Sequence, residues 1–160
     1  MRAYIGIGAN LGDREATLRE ALRLLGEADG VEVVAVSSLV ETEPWGYTDQ
    51  PAFLNGAAGL ETTLHPRDLL ALLLDIERRL GRVRTDDAPR YGPRTVDLDL
   101  LVQGDLELDE PGLQVPHPRL HERRFALAPL AELDPALVIP GQGCVADLLA
   151  GVEYGDNVAS

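Results

Sequence analysis

The run Arg94-Thr-Val-Asp97-Leu-Asp99-Leu-Leu101 places two carboxylates two residues apart in an otherwise apolar, β-branched stretch. On a strand, side chains at i and i+2 face the same way, about 6.6 Å apart along the chain. Asp97 and Asp99 then project together, while Val96, Leu98 and Leu100 fill the opposite, buried face. Convergent carboxylates repel each other and lose solvation unless a cation lies between them. Mg2+ suits such a pair, because it takes one or two carboxylates and leaves its other positions to water and phosphate oxygens. A D-x-D pair alone is also what an ordinary solvent face carries, so its neighbours decide. Six arginines (Arg78, Arg79, Arg82, Arg84, Arg90 and Arg94) fall between 78 and 94 against two acids, Asp86 and Asp87. That segment carries +4 in a chain whose net charge is −13. The planar guanidinium fork gives phosphate two parallel hydrogen bonds. Carboxylates for a metal beside arginines for phosphate describe a phosphoryl-transfer site.

Other patterns narrow the field. Every one of the 14 basic residues is Arg, so no G-x-x-x-x-G-K-[ST] phosphate loop exists. The net charge of −13 opposes indiscriminate binding to nucleic acid. Gly6-Ile-Gly8-Ala-Asn-Leu-Gly12 is one residue too long for the G-x-G-x-x-G dinucleotide fingerprint and reads as a tight strand-to-helix turn. The single cysteine, Cys144, permits no internal disulfide and no cysteine-based metal site. No apolar run approaches the roughly 20 residues of a membrane span, and the N-terminus lacks a secretory apolar segment. A cytoplasmic chain without membrane or nucleic-acid partners is expected. The 160 residues suit one domain, 1–160, with no room for a fused partner domain. The only two phenylalanines, Phe53 and Phe125, stand beside polar residues. Leu, Val and Ala suffice for the core, which frees both rings to face a flat heterocycle.

The elements that must position these groups follow from periodicity. Tyr4 to Gly8 alternates as a strand, and Asn10 to Asp13 offers a turn with Asp13 as a helix N-cap. Leu18, Ala21, Leu22 and Leu25 at helical spacing predict a helix over 14–26. Val31 to Val40 reads as one β-branched strand. A Pro/Gly-rich loop from Glu43 to Pro51 leads into a strand from Phe53 to Glu61. Pro66 opens a helix that runs to Leu80 and stops at Gly81. Residues 82–94 read as a mobile loop and 95–102 as a strand. A short hairpin, the Val115-Pro-His-Pro118 loop, and two short helices near 119–133 and 144–150 complete the chain. The order β-α-β-β-α-β predicts an α/β (α+β) fold. Its form is a ferredoxin-like three-layer αβα sandwich around a mainly antiparallel sheet, with extra short strands and helices at the C-terminus.

Assembled, these residues make the chain resemble the 6-hydroxymethyl-7,8-dihydropterin pyrophosphokinases of folate biosynthesis, from Tyr4 to about Pro140. Arg90-Tyr-Gly-Pro-Arg-Thr-Val-Asp-Leu-Asp-Leu-Leu101 matches the family signature. Ile7-Gly-Ala-Asn-Leu-Gly12, Ser37-Ser38 with Thr42, Gln50-Pro-Ala-Phe-Leu-Asn55, Gly81-Arg-Val-Arg84 and Val115-Pro-His-Pro118 support it. The resemblance implies transfer of the terminal pyrophosphoryl unit of ATP, the co-substrate, to the hydroxymethyl oxygen of the pterin, with release of AMP. It implies a pterin ring between Phe53 and Phe125, met at its edge by Thr42 and Asn55, with Glu43, Trp45 and Tyr91 also around it. Asp97 and Asp99 would hold two Mg2+ ions. Arg82 and Arg94 would stabilise charge on the transferring group. ATP would be bound by Arg84, Arg90, Arg94, Leu100, His117 and Arg123, with Glu77 organising nearby arginines. Residues 82–94 would close over the site as a lid carrying Tyr91. The implied partners are these two small molecules and the implied state a monomer. Glu43, Leu74, Thr85 and Pro118 depart from the commonest family pattern.

Two other readings of the same residues remain open at this point. A nucleotidyl transferase on the same sheet would use the Asp pair with a different acceptor, and a ring-stacking pocket near Asp97 separates the two. An RNA-binding sheet domain would use the Arg loop and exposed aromatics, against the chain's charge and the Asp pair.

Overall fold

The computed structural model describes residues 1–9, 14–42, 53–82 and 96–159. Strand β1 (Arg2–Ala9) is central, and β4 (Phe53–Thr62) and β5 (Val96–Gln103) flank it, both antiparallel. Along the outer edge of β4 lie β2 (Val31–Val36) and then β3 (Val40–Thr42), also antiparallel. With both its neighbours antiparallel, β1 cannot belong to the parallel βαβ unit that a dinucleotide fold needs. Gly6 and Gly8 lie inside β1 rather than in a turn. Residues 10–13, with the expected turn and the Asp13 cap, lie outside the described residues, as do residues 43–52 and 83–95, which hold most of the two expected loops.

Alternation sorts the sheet into two faces. Ala3, Ile5, Ile7 and Ala9 of β1, with Ala58, Leu60, Val96, Leu98 and Leu100, pack against α1 (Arg14–Glu27) and α2 (Pro66–Arg82). Those helices contribute Leu18, Ala21 and Leu25 and Leu69, Leu73 and Ile76, the i, i+3/i+4, i+7 spacing of one buried stripe. The opposite face buries Tyr4, Ala57, Leu101 and Val102 under α3 (Arg124–Leu133) and α4 (Val145–Ala159), through Leu127, Leu130 and Val145, with Leu120 of the turn before α3. The result is the expected three-layer αβα sandwich. No phenylalanine is among the buried described residues; the core is Ala, Ile, Leu and Val with Tyr4. Between α1 and β2, Gly30 takes φ +85, a left-handed turn whose carbonyl accepts from Thr63 N–H and the Thr62 hydroxyl.

Four boundaries depart from the sequence reading. The single strand expected over Val31–Val40 is two, because Ser37 and Ser38 divert the edge: the Ser37 Oγ accepts from Ala57 N–H, and Ser38 turns to a helix on the other side of the chain. Helix α2 continues through Gly81 to Arg82. The helix expected over 119–133 is a 3-10 turn, Leu120–Glu122, then α3, broken where Arg123 is extended at φ −110, ψ 96. Helix α4 extends well past 150 through Gly151 and Gly155, which weaken a helix without ending it. The hairpin is β6 (Leu108–Glu110) with β7 (Leu113–Val115), and a further one, β8 (Val138–Ile139) with β9 (Gly143–Cys144), escaped notice because two-residue strands leave no period. Among the described residues no helix is long and apolar enough to cross a membrane.

Candidate active site

Strand β5 carries the carboxylates as its alternation demands. Val96, Leu98 and Leu100 are buried, Asp97 is half-buried and Asp99 exposed. Opposite them on β1 stand the two glycines, Gly8 against Asp97 and Gly6 against Asp99. Neither has a side chain, so the sheet there is covered by its neighbours: the Asn55 carboxamide lies over Gly8, which is buried, and the Leu101 side chain lies over Gly6. The row continues through Gly8 to Asn55 on β4 and Val40 on β3. A Cβ placed on Gly8 would stand only 2.8 Å from the Asn55 Oδ1, so glycine is what lets that carboxamide lie over β1. Thr42 and Phe53 face each other across β3 and β4 two residues further along the strands; their side chains, and that of Arg82 at the end of α2, lie outside the described ones. Arg84, Arg90, Arg94, Glu43, Trp45 and Tyr91 also lie outside.

A bulge controls where this polar face stops. Tyr4 pairs Val102 but Ile5 pairs Leu100, which leaves Leu101 as the extra residue of β5. Leu101 and Val102 therefore both enter the α3/α4 core. The Leu101 carbonyl accepts the His117 N–H at 2.9 Å, so the bulge anchors the loop after β7 beside the carboxylates. The His117 Nδ1 accepts the Arg119 N–H at 3.2 Å, which puts the neutral ring's proton on Nε2. His117 is half-buried; that burial, then Arg123 nearby, pushes its pKa below the ordinary 6.5, opposed by Asp99. At pH 7 it is a neutral N–H donor.

Glu77 of α2 is a strut of the same strand. Its Oε2 accepts the Leu98 N–H at 2.6 Å, between the two aspartates, and ties the open edge of β5 to the helix. Phe125, at the start of α3, is 47% exposed, and the Arg123 guanidinium lies 5.7 Å from its ring centroid, a cation–π distance. Sequence reasoning missed a cleft of about 750 Å³ that opens from Asp99 between α2 and the β6–β7 hairpin. Leu70, Leu74, Leu98, Leu100 and Leu113 supply its apolar wall, with Asp109, Glu110, Glu77 and His117 among its polar groups. The hairpin is latched to α2 by Arg67, which reaches Glu110 at 2.8 Å. A short hairpin is expected here from the sequence; that it faces α2 is tertiary. Leu74 and Pro118, noted for departing from the family pattern, both line this cleft.

The donor set fits a hard divalent cation: two carboxylate side chains on one strand face, one of them exposed. Among the described residues no cluster of three or more His, Cys, Asp or Glu competes with them for a metal.

The family description 7,8-dihydro-6-hydroxymethylpterin-pyrophosphokinase matches residues 4–135. The chain belongs to this family. It is 50% identical over 131 residues to the 2-amino-4-hydroxy-6-hydroxymethyldihydropteridine pyrophosphokinase of Bacillus subtilis, covering 82% of this chain and 77% of that protein. The protein of the same name from Pseudomonas aeruginosa is 42% identical over 153 residues, covering 96% and 93%. The Arabidopsis thaliana "folate synthesis bifunctional protein, mitochondrial" is 47% identical over 129 residues, which cover 81% of this chain but 23% of that one. Among solved structures, Plasmodium falciparum HPPK-DHPS, crystallised with SDX-DHP, superposes with a TM-score of 0.65 at 13% identity, over 98% of this chain and 44% of that chain; this likeness concerns the fold. Membership makes the chain a pyrophosphokinase, an enzyme of pyrophosphoryl transfer in folate synthesis.

Proposed function

We propose that the enzyme transfers the β,γ-pyrophosphoryl unit of ATP to 6-hydroxymethyl-7,8-dihydropterin. The hydroxymethyl oxygen attacks the β-phosphorus, the bond from that phosphorus to the α,β-bridging oxygen breaks, AMP leaves, and the hydroxyl proton is released. The observation that carries the reading is the row of Asn55, Gly8 and Asp97 across one sheet face, with Asp99 exposed beside it and Phe125 exposed at the start of the covering helix.

In this reading the pterin lies beside the Asn55–Gly8 row. The Asn55 amide, both donor and acceptor, meets its alternating polar edge with Thr42, and Phe53 and Phe125 stack on its faces, with Glu43, Trp45 and Tyr91 closing around it. Asp97 and Asp99 hold two Mg2+ ions, which supply charge neutralisation for the triphosphate. The nucleoside takes the leucine-walled cleft, with Leu100 against the base. The acids Asp109 and Glu110 there repel phosphate, so the triphosphate points inward to Asp99, where His117 donates from Nε2 and Arg84, Arg90 and Arg123 add cations. Arg82 and Arg94 stabilise charge on the transferring group, and Glu77 holds the strand that bears both aspartates. Positioning and electrostatics supply the rate, and no strong general base is needed. The chain acts as a cytoplasmic monomer of one domain, 1–160.

The test mixes protein, ATP, Mg2+ and hydroxymethyl-dihydropterin and follows AMP. AMP should form in step with the pterin diphosphate, and Asp97→Ala should abolish turnover while leaving the urea midpoint close to wild type. AMP production that is absent, or equal in Asp97→Ala, sinks the proposal.

A further inference from the structure

The junction Ser37-Ser38, which the catalytic reading leaves without a task, is bonded on two sides. Toward the sheet, Ser37 N–H donates to the Ala57 carbonyl at 2.9 Å and its Oγ accepts the Ala57 N–H at 2.8 Å. That Oγ donates in turn to the Ser38 carbonyl at 2.9 Å. The segment lies so close on β4 that a Cβ at Gly56 would stand 2.9 Å from the Ser37 Oγ and 2.8 Å from the Leu39 Cδ2. Toward the helix, a single oxygen, the Glu132 Oε2, accepts both the Ser38 N–H at 2.8 Å and the Ser38 hydroxyl at 3.0 Å.

The two anchor points have a common meaning. Ala57 is two residues from Asn55, on the same face of β4. Glu132 is seven residues from Phe125, two turns along the same face of α3. The serine pair therefore links the strand that carries the polar-edge residue to the helix that carries the exposed ring. Beyond these bonds, the Tyr4 hydroxyl donates to the Asp134 carboxylate at the C-terminal end of α3 at 3.3 Å, and Leu127 and Leu130 make apolar contact with Ala57 and Tyr4. Apolar packing is non-directional and resists sliding of the helix less than two hydrogen bonds to one carboxylate do.

We propose that Ser38 and Glu132 are positioning residues that set the distance between the Asn55 row and the Phe125 ring, and so the width of the slot for the flat substrate. The proposal rests on the pterin reading above. The strut touches neither the carboxylates nor the cleft, and of the groups assigned to ATP only Arg123 adjoins the same helix, so it governs affinity for the pterin more than for ATP.

Calorimetry on wild type, Glu132→Ala, Ser38→Ala and Glu132→Gln would measure dissociation constants for the pterin and for ATP with Mg2+, alongside kcat, KM and urea midpoints. Loss of both charge-assisted bonds in Glu132→Ala should raise the pterin dissociation constant and KM about tenfold, with kcat and ATP affinity within about twofold. Ser38→Ala keeps the backbone bond and should lie between. Glu132→Gln keeps an acceptor oxygen in place and should return pterin affinity to within about threefold of wild type. A generally loosened fold would weaken both ligands together and would not be rescued by Gln. Unchanged pterin affinity in Glu132→Ala, parallel loss of ATP affinity, or failure of the Gln rescue overturns the strut. If Glu132→Ala does not fold, Ser38→Ala and Glu132→Gln carry the same comparison. A wild-type protein that binds no pterin overturns the functional reading and the strut with it, whereas wild-type binding that ignores all three substitutions overturns the strut alone.

Discussion

Replacement of Gly8 by alanine tests the Asn55–Gly8 row with a single methyl group. The new Cβ would stand 2.8 Å from the Asn55 Oδ1 and 3.6 Å from the Leu54 carbonyl oxygen, whereas ordinary contact begins near 3.4 Å. The backbone neighbour needs no adjustment, but the Asn55 carboxamide must retreat by about 0.6 Å, the difference between the two distances. A short side chain on a strand can do this only by leaving its rotamer or giving up a hydrogen bond, at a cost of about 0.5–1.5 kcal/mol. For folding, alanine in a strand interior regains about 0.5–1 kcal/mol relative to glycine, so the two effects roughly cancel. For the pterin there is no such offset, because the displaced amide is the group that reads its edge. About 1 kcal/mol corresponds to roughly fivefold in the dissociation constant, and a clash between methyl and ring would add to it. Urea unfolding should therefore show stability within about 1 kcal/mol of wild type, while calorimetry shows pterin binding weakened at least about fivefold and ATP binding unchanged. Equal pterin affinity in Gly8→Ala would refute both the place of Asn55 in the site and the argument for why glycine stands at this position.

Other outcomes follow from the struts and the histidine. Glu77→Ala leaves the Leu98 N–H without its acceptor beside a buried strand and should cost about 1–3 kcal/mol in urea unfolding, while Glu77→Gln, which keeps an acceptor oxygen, should cost less; equal costs would mean that the 2.6 Å bond contributes nothing. The His117 imidazole is held below the ordinary 6.5 by burial and Arg123. Between its folded value and 6.5 the unfolded chain binds more protons, so stability rises with pH through that window. The contribution is complete above 6.5 and fades as pH falls toward the folded value. His117→Asn should flatten this part of the stability curve, and an NMR titration of wild type should give a midpoint below 6.5; a midpoint above it would reverse the sign.

How legible the molecule was depended on whether a property is local. The alternation of Val96, Asp97, Leu98, Asp99 and Leu100 is written in the sequence, and the structure places all five as that pattern requires. The helical stripe of Leu18, Ala21 and Leu25 is equally plain. Phe125 was read as spare from the core because the leucines and valines suffice, and it is exposed. Ser37 and Ser38 interrupt a strand for reasons no period reveals: their partners are Ala57, 20 residues on, and Glu132, 94 residues on. The cleft escaped for the same reason, since its wall is a hairpin whose position against α2 depends on packing and on Arg67. The Gly6-x-Gly8 pattern was seen as a turn because glycine usually marks one; its use as the side-chain-free partner of two carboxylates appears only when β1 and β5 are paired.

That pairing explains how one strand serves both a reaction and a core. With strict alternation along β5, Asp97, Asp99 and Leu101 would share a face and Val102 would return to the α1/α2 side. The bulge at Leu101 instead leaves Leu101 and Val102 together under α3 and α4, while Gln103 is buried and its Nε2 donates to the Leu64 carbonyl at 2.8 Å. The polar half of the strand thus ends abruptly at the apolar half, and the carbonyl at the junction holds His117. A carboxylate pair needs water and metal on its face, and a core needs their exclusion. An extra residue lets eight residues of one strand meet both demands and places the histidine at the boundary between them.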